Sequence, residues 1–253
     1  MNEANDDAEE DDDDEYEEYD SILDDYVIRF AIERPLLSIE DPADYVIEVA
    51  GEIRLRSAND DSASEVVGWI DARVVQAGRA CNDGEPLFDV CDTIDQELHD
   101  YASAVYDYDS ESIRESISDG CAGADILIVE TIKILPAHRG RRLGLLAMRR
   151  TIDTFGEGCA AVVIEPFPLQ FSRHPDPSSR KHLDWHARMG MQLFDMNEVN
   201  AVAKLRKYWA QSGFRRIGKT KYFALDLQQP QPRLQELLRK PKARGTRLVV
   251  TTH

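Results

Sequence analysis

Apolar and polar residues alternate along Tyr45 to Leu55 (YVIEVAGEIRL) and Glu65 to Val75 (EVVGWIDARVV). Successive strand side chains point to opposite faces, so this period of two predicts half-exposed strands. Tyr26 to Glu33 (YVIRFAIE) is rich in β-branched and aromatic residues and predicts another. Together the three suggest an antiparallel start to a sheet. From Pro86 to Tyr106 the period changes. Leu87, Val90, Cys91, Ile94, Leu98, Tyr101, Ala102 and Val105 recur at three and four, which predicts one amphipathic helix with Asp92, Asp95, Glu97 and Asp100 on its solvated face. A short helix is expected around Ser110 to Ser118.

Asp125 to Leu135 (DILIVETIKIL) is the strongest strand pattern, and Pro136 stops it. Gly140 to Thr154 reads as a helix. Ala160 to Ile164 (AAVVI) is a continuous apolar run that suits a buried, parallel strand. Strand, turn, helix, strand makes a βαβ unit. Residues 165–196 hold five Pro or Gly breaks and no clean period, so a long loop or insertion is expected. Asn197 to Gln211 is helical, with Asn197 as cap and Gly213 as stop. Phe214 to Leu227 holds one or two strands, and Arg233 to Arg239 a short helix before the basic segment KPKARGTR.

Charge divides the chain in three. Residues 1–25 carry 15 acidic and no basic side chains, residues 26–132 carry 24 and 7, and residues 133–253 carry 9 and 23. The net charge of −18 argues against a polyanionic partner only until this polarity is seen. The expected organisation is a disordered acidic tail over 1–25, one domain over 26–239 and a basic tail over 240–253. No apolar run is long enough to cross a membrane, and no secretory leader pattern opens the sequence. Cys81, Cys91, Cys121 and Cys159 form no CxxC pair and no zinc spacing. A cytoplasmic protein with free thiols is expected, with Cys159 packed in the core.

The segment Val129 to Met148 (VETIKILPAHRGRRLGLLAM) carries the chemistry. A strand enters a turn with Arg139, Gly140, Arg141, Arg142 and Gly144, and a helix follows. Amides and the partial positive charge of a helix N-terminus, glycines that let an anion approach, and three guanidinium groups make a place for a pyrophosphate. The Lys-Ser/Thr pair of a P-loop is absent, as is the three-glycine dinucleotide fingerprint.

This segment resembles motif A of the GCN5-related N-acetyltransferases (GNAT), which is [QR]-x-x-G-x-[GA] after a strand ending x-V-x-P. The matching pieces are Ile134-Leu135-Pro136 and Arg139 to Gly144, with Arg142 where the family has its inner glycine. Lys204 to Leu227 (KLRKYWAQSGFRRIGKTKYFALDL) is similar to the family's C-terminal signature, a helix ending aromatic-x-x-x-G-F before a strand pair. The resemblance covers about residues 124–227. It implies an α+β fold in α/β/α layers, with a mixed, mostly antiparallel central sheet flanked by helices.

It also implies acetyl-CoA as cosubstrate. Ile132, Lys133 and Ile134 would supply backbone contacts to the pantetheine arm. Arg139, Gly140, Arg141, Arg142, Leu143 and Gly144 would take the pyrophosphate. The Ile134 N–H would serve the oxyanion. Glu130 is the candidate base, on the expectation that positions 130, 132 and 134 share a strand face near the acetyl group; a structural carboxylate paired with a basic neighbour is the other reading. Trp209 stands where the family often has an acidic tyrosine. Tyr208 is one residue earlier, and a helix turns about 100° per residue, so Tyr208 is expected to face elsewhere and enters only as a substitute acid.

The reaction expected is transfer of acetyl to a primary amine of a small molecule or peptide. The acidic N-terminal half favours a cationic acceptor, and no membrane partner is expected. Two other readings stand beside it: a non-catalytic CoA-binding or interaction module on the same fold, and an acetyltransferase acting on an RNA-linked or protein substrate. Nucleic acid is the less favoured partner. His182 and His186, with His174 and Asp184 nearby, are read as part of a surface or acceptor loop rather than a metal site.

Overall fold

The computed structural model describes residues 21–34, 36, 41–57, 60–118, 124–172 and 179–238. Residues 1–20 of the expected acidic tail at 1–25, the expected basic tail at 240–253, Cys121 and His174 lie outside them. Among the described residues, seven strands form one mixed sheet: β1 (Tyr26–Ala31), β2 (Val46–Ser57), β3 (Asp60–Val75), β4 (Asp125–Ile134), β5 (Cys159–Ile164), β6 (Arg215–Arg216) and β7 (Phe223–Asp226). Their order is β1-β2-β3-β4-β5-β7-β6, and β4 with β5 is the parallel pair. The antiparallel opening β1-β2-β3 stands as the alternation predicts. Ser21–Asp25, assigned by charge to the tail, form a 3₁₀ turn leading into β1.

Helices cover both faces. On one lie α1 (Ala77–Asp83), α2 (Leu87–Ile94) and α3 (Gln96–Val105). There Phe88, Cys91, Leu98 and Val105 join the core with Ile126, Ile128 and Val163. On the other lie α4 (Leu143–Phe155) and α6 (Glu198–Ala210), whose Leu145, Met148 and Trp209 pack with Leu127, Val129 and Val162. β5 is buried at all six positions, which explains its unbroken apolar run. Cys159 is buried in this core, and burial pushes its thiol up to about 12. Two further helices, α5 (Arg180–Arg188) and α7 (Leu234–Leu238), lie in the C-terminal half.

Several expectations need correction. The single helix over Pro86 to Tyr106 is two, because Asp95 is extended (φ −166°, ψ 159°) and caps α3 by accepting the Leu98 N–H at 2.7 Å. Ser110 to Ser118 is not a helix. Asp107 accepts there from the Asp109 and Ser110 N–H groups at 3.2 Å, and Tyr106 bridges to Ile113. Residues 165–196 are not merely a loop, since they contain α5. No helix among the described residues is long and apolar enough to cross a membrane.

Candidate functional site

β4 and β5 pair only from Asp125↔Cys159 to Ile128↔Val163. Beyond Ile128, β4 continues through Ile134 while β5 ends. A cavity of about 690 Å³ opens there, walled by Val129–Ile134 of β4, the start of α4, the residues after β5, and α6. Crevices beyond the carboxyl ends of parallel strands are common ligand sites.

The main chain of this wall is oriented by β3. The Leu135 N–H donates to the Val67 carbonyl at 2.8 Å. A Cβ on Gly68 would lie 2.5 Å from the Lys133 carbonyl oxygen, so only glycine permits this approach. Residues 133 and 135 therefore bond towards β3, and the peptide groups of Ile134 face the opposite, open edge. There the Ile134 carbonyl accepts from Arg139 Nε at 2.9 Å.

A bulge places Glu130. Asp71 pairs with Thr131 and Ala72 with Val129, so Glu130 has no cross-strand partner. The extra residue resets the alternation. Ile132 now joins Leu127 and Val129 on the α4 side, and Ile134 packs near Ala147 of α4. Thr131 and Lys133 reach Asp71 at 2.5 and 3.0 Å, and Glu130 meets Arg73 Nε at 3.1 Å, on the α1–α3 side. The expectation that 130, 132 and 134 share a face is thus overturned by one inserted residue. The Glu130 side chain is 18% exposed and lines the cavity. Burial raises its carboxyl above the ordinary range against the pull of Arg73, and Glu97, Asp95 and Asp71 push the same way as burial.

The turn supplies the second wall. Gly140 takes φ +82° and Arg142 φ +59°, and Arg142 is the N-cap residue of α4. The departure from the glycine pattern therefore falls at a left-handed position. Arg142 carbonyl oxygen accepts from Leu145 and Leu146, while its guanidinium donates to the Leu237 carbonyl of α7. Leu143 and Gly144 line the cavity, so the positive end of α4 opens onto it.

Ile132, Lys133, Ile134, Arg139, Gly140, Arg142, Leu143 and Gly144 all border the same cavity. Arg141 does not border it. Its guanidinium donates to Tyr26 Oη at 3.0 Å, and that hydroxyl also meets His138 Nδ1 at 2.8 Å. Arg139 is also committed, donating to the Met189 carbonyl at 2.5 Å and lying 4.4 Å over the Phe194 ring. It pins the segment after α5 to the end of β4. Burial lowers its pKa.

Tyr208 faces the cavity, contrary to the helix-rotation estimate. Burial pushes its phenol up to about 12, against the opposing pull of the Leu145 backbone and Arg142. The hydroxyl sits 3.0 Å from where a Cβ on Gly144 would be, so the second glycine of the turn admits it. Trp209 borders the cavity too, while packing in the core edge-on against Tyr208 and Phe214.

Sequence reasoning missed Arg73, Asp71 and Glu165. Asp71 and Arg73 share a face of β3, a period-two signal that was readable, but their meeting with β4 was not. Glu165 follows β5, lines the cavity and pairs with Lys221 at 2.8 Å. On α5 the His182 and His186 rings lie 4.8 Å apart, and Arg188 sits 5.1 Å over Trp69. Among the described residues, no three His, Cys, Asp or Glu side chains gather as a metal ion would require.

Comparison with protein-family models, with curated proteins and with solved structures returned no match to this chain.

Proposed function

We propose that the chain is an N-acetyltransferase of GCN5-related type, moving acetyl from acetyl-CoA directly to the primary amine of a cationic acceptor. One observation carries the reading: a strand edge left open by the parting of two parallel strands runs beside a glycine- and arginine-bearing turn at a helix N-terminus. An open edge accepts an extended, amide-bearing chain by main-chain hydrogen bonds, as the pantetheine arm offers. The turn suits its pyrophosphate.

In this reading the amine nitrogen attacks the thioester carbonyl carbon, and Glu130 takes the amine proton directly or across a water. A free alkylamine, with pKa of about 10.4, is otherwise protonated at neutral pH. The Ile134 N–H on the open edge donates to the oxyanion. The carbon–sulfur bond then breaks, and the Tyr208 phenol gives its proton to the leaving thiolate. A phenol held near 12 stays protonated for that role. Asp71, Asp95 and Glu97 around Glu130 favour an acceptor that arrives as a cation.

The experiment is thiol release from acetyl-CoA across polyamines, aminoglycosides, lysine peptides and acidic amines. Amine-dependent release with a cationic acceptor is expected. Saturable cofactor binding without release from any amine marks a binding module instead.

A further inference from the structure

We infer that Arg73 is the positioning residue for Glu130, fixing the direction and the charge of that carboxylate from behind the cavity wall. The inference rests on the reading of Glu130 as base. Glu130 is the bulge residue, so no ladder partner sets its direction. Arg73, opposite Ile128 on β3, supplies that constraint. Its planar fork spans two carboxylates, with Nε 3.1 Å from Glu130 Oε1 and Nη1 2.6 Å from Asp95 Oδ2. Arg73 and Glu130 side chains are only 16% and 18% exposed, so water relaxes this geometry little. Asp95 is itself fixed by capping α3. The chain of contacts runs from a helix N-terminus through Asp95 and Arg73 to Glu130.

The charges facing Glu130 make Arg73 the deciding one. Asp71 faces it from β3, Asp95 from the α2–α3 junction and Glu97 from α3; all three oppose its ionisation, as does burial. Tyr101 of α3 stands in the same field. Lys133 is held by Asp71. Arg73 alone among these groups draws the carboxyl towards the anion. Burial works against the guanidinium too, but Glu130, Asp95 and Glu48 of β2 outweigh it and raise its pKa.

The test uses the full chain with Arg73→Met and Arg73→Lys. The Glu130 carboxyl is followed by carbon NMR titration, assigned with Glu130→Gln, and kcat/KM is measured against pH. Loss of a close opposite charge moves a carboxyl by about 1–3 pH units. Arg73→Met is expected to raise the Glu130 titration by at least one unit and to move the acidic limb of kcat/KM by the same amount. Arg73→Lys, which keeps the charge and loses the fork, is expected to lie between the two. An unmoved Glu130 titration in both variants overturns the inference, as does a rate loss equal at every pH. A moved titration in a chain that transfers no acetyl supports the pairing and counts against the proposed function alone.

Discussion

Replacing Arg142 by glycine and by alanine isolates the geometry of the turn. Arg142 holds φ +59° and ψ 16° as the residue before α4. An L-residue in this left-handed region costs about 1–2 kcal/mol relative to the right-handed one. Both variants lose the hydrogen bond to the Leu237 carbonyl, so that loss cancels between them. Alanine keeps the steric cost of a Cβ at positive φ. Glycine removes it but adds roughly 0.4–1 kcal/mol of unfolded-chain entropy. The balance leaves glycine more stable than alanine by about 0.5–1 kcal/mol, the reverse of the order inside a helix. For a domain of this size that is about 1–4 °C in Tm. Thermal unfolding followed by circular dichroism, both variants in one buffer, reads it directly. Alanine equal to or more stable than glycine would refute a left-handed Arg142, and with it the described shape of the turn proposed to bind the pyrophosphate.

Other consequences follow from the same geometry. Glu130→Gln is expected to lower kcat on a cationic amine by about 100-fold or more while leaving acetyl-CoA affinity within a factor of two to three, read by steady-state kinetics and calorimetry. The same variant tests the sign of the burial effect. The Glu130 carboxyl titrates higher in the fold than in the unfolded chain, so its protonation adds stability that is full below the unfolded value and is lost as pH rises through the folded one. The Tm of the native chain minus that of Glu130→Gln should therefore fall as pH rises above about 4; a rise would contradict a desolvated Glu130. Tyr208→Phe is expected to reduce kcat by about tenfold or more, with no basic limb in the native pH profile that belongs to Tyr208 below about pH 11, since its phenol lies near 12. Full kcat in that variant returns the thiolate to leaving without an acid. Gly68→Ala drives a Cβ to 2.5 Å from the Lys133 carbonyl and should cost about 1–3 kcal/mol as overpacking does, loosening β3 from β4; a urea midpoint unchanged from native would contradict that contact.

The periodic elements were legible because the number of faces each buries is written in its apolar pattern. β2 and β3 alternate, β5 is covered on both sides, and α6 ends at Ala210, three residues before Gly213 takes φ +90°. The break at Asp95 was hidden because Ile94 and Leu98 continue the helical period across it while both helices rest on the same sheet face. α5 left no apolar period, since none of its nine residues is buried. The turn before α4 announced itself through glycine, arginine and the flanking elements. The face of β4 that carries Glu130 did not. A bulge inserts one residue without changing the hydrophobic pattern, so strict alternation placed Glu130 with Ile132. The ion pairs of Arg73 and Asp71 depend on strand register, which single-strand patterns do not contain. Tyr208 was misplaced by a comparison of helix phase, when what admits it is the absence of a side chain at Gly144.

Calorimetric titration of the chain with acetyl-CoA, and in parallel with acetylated pantetheine lacking the nucleotide pyrophosphate, tests most directly whether the cavity between β4 and α4 is a cofactor site. Saturable one-to-one binding is expected for acetyl-CoA, weakened about tenfold or more when the pyrophosphate is missing, as the loss of charge-assisted contacts at a helix N-terminus implies. No heat of binding at millimolar acetyl-CoA, or equal affinity for the two ligands, would contradict it.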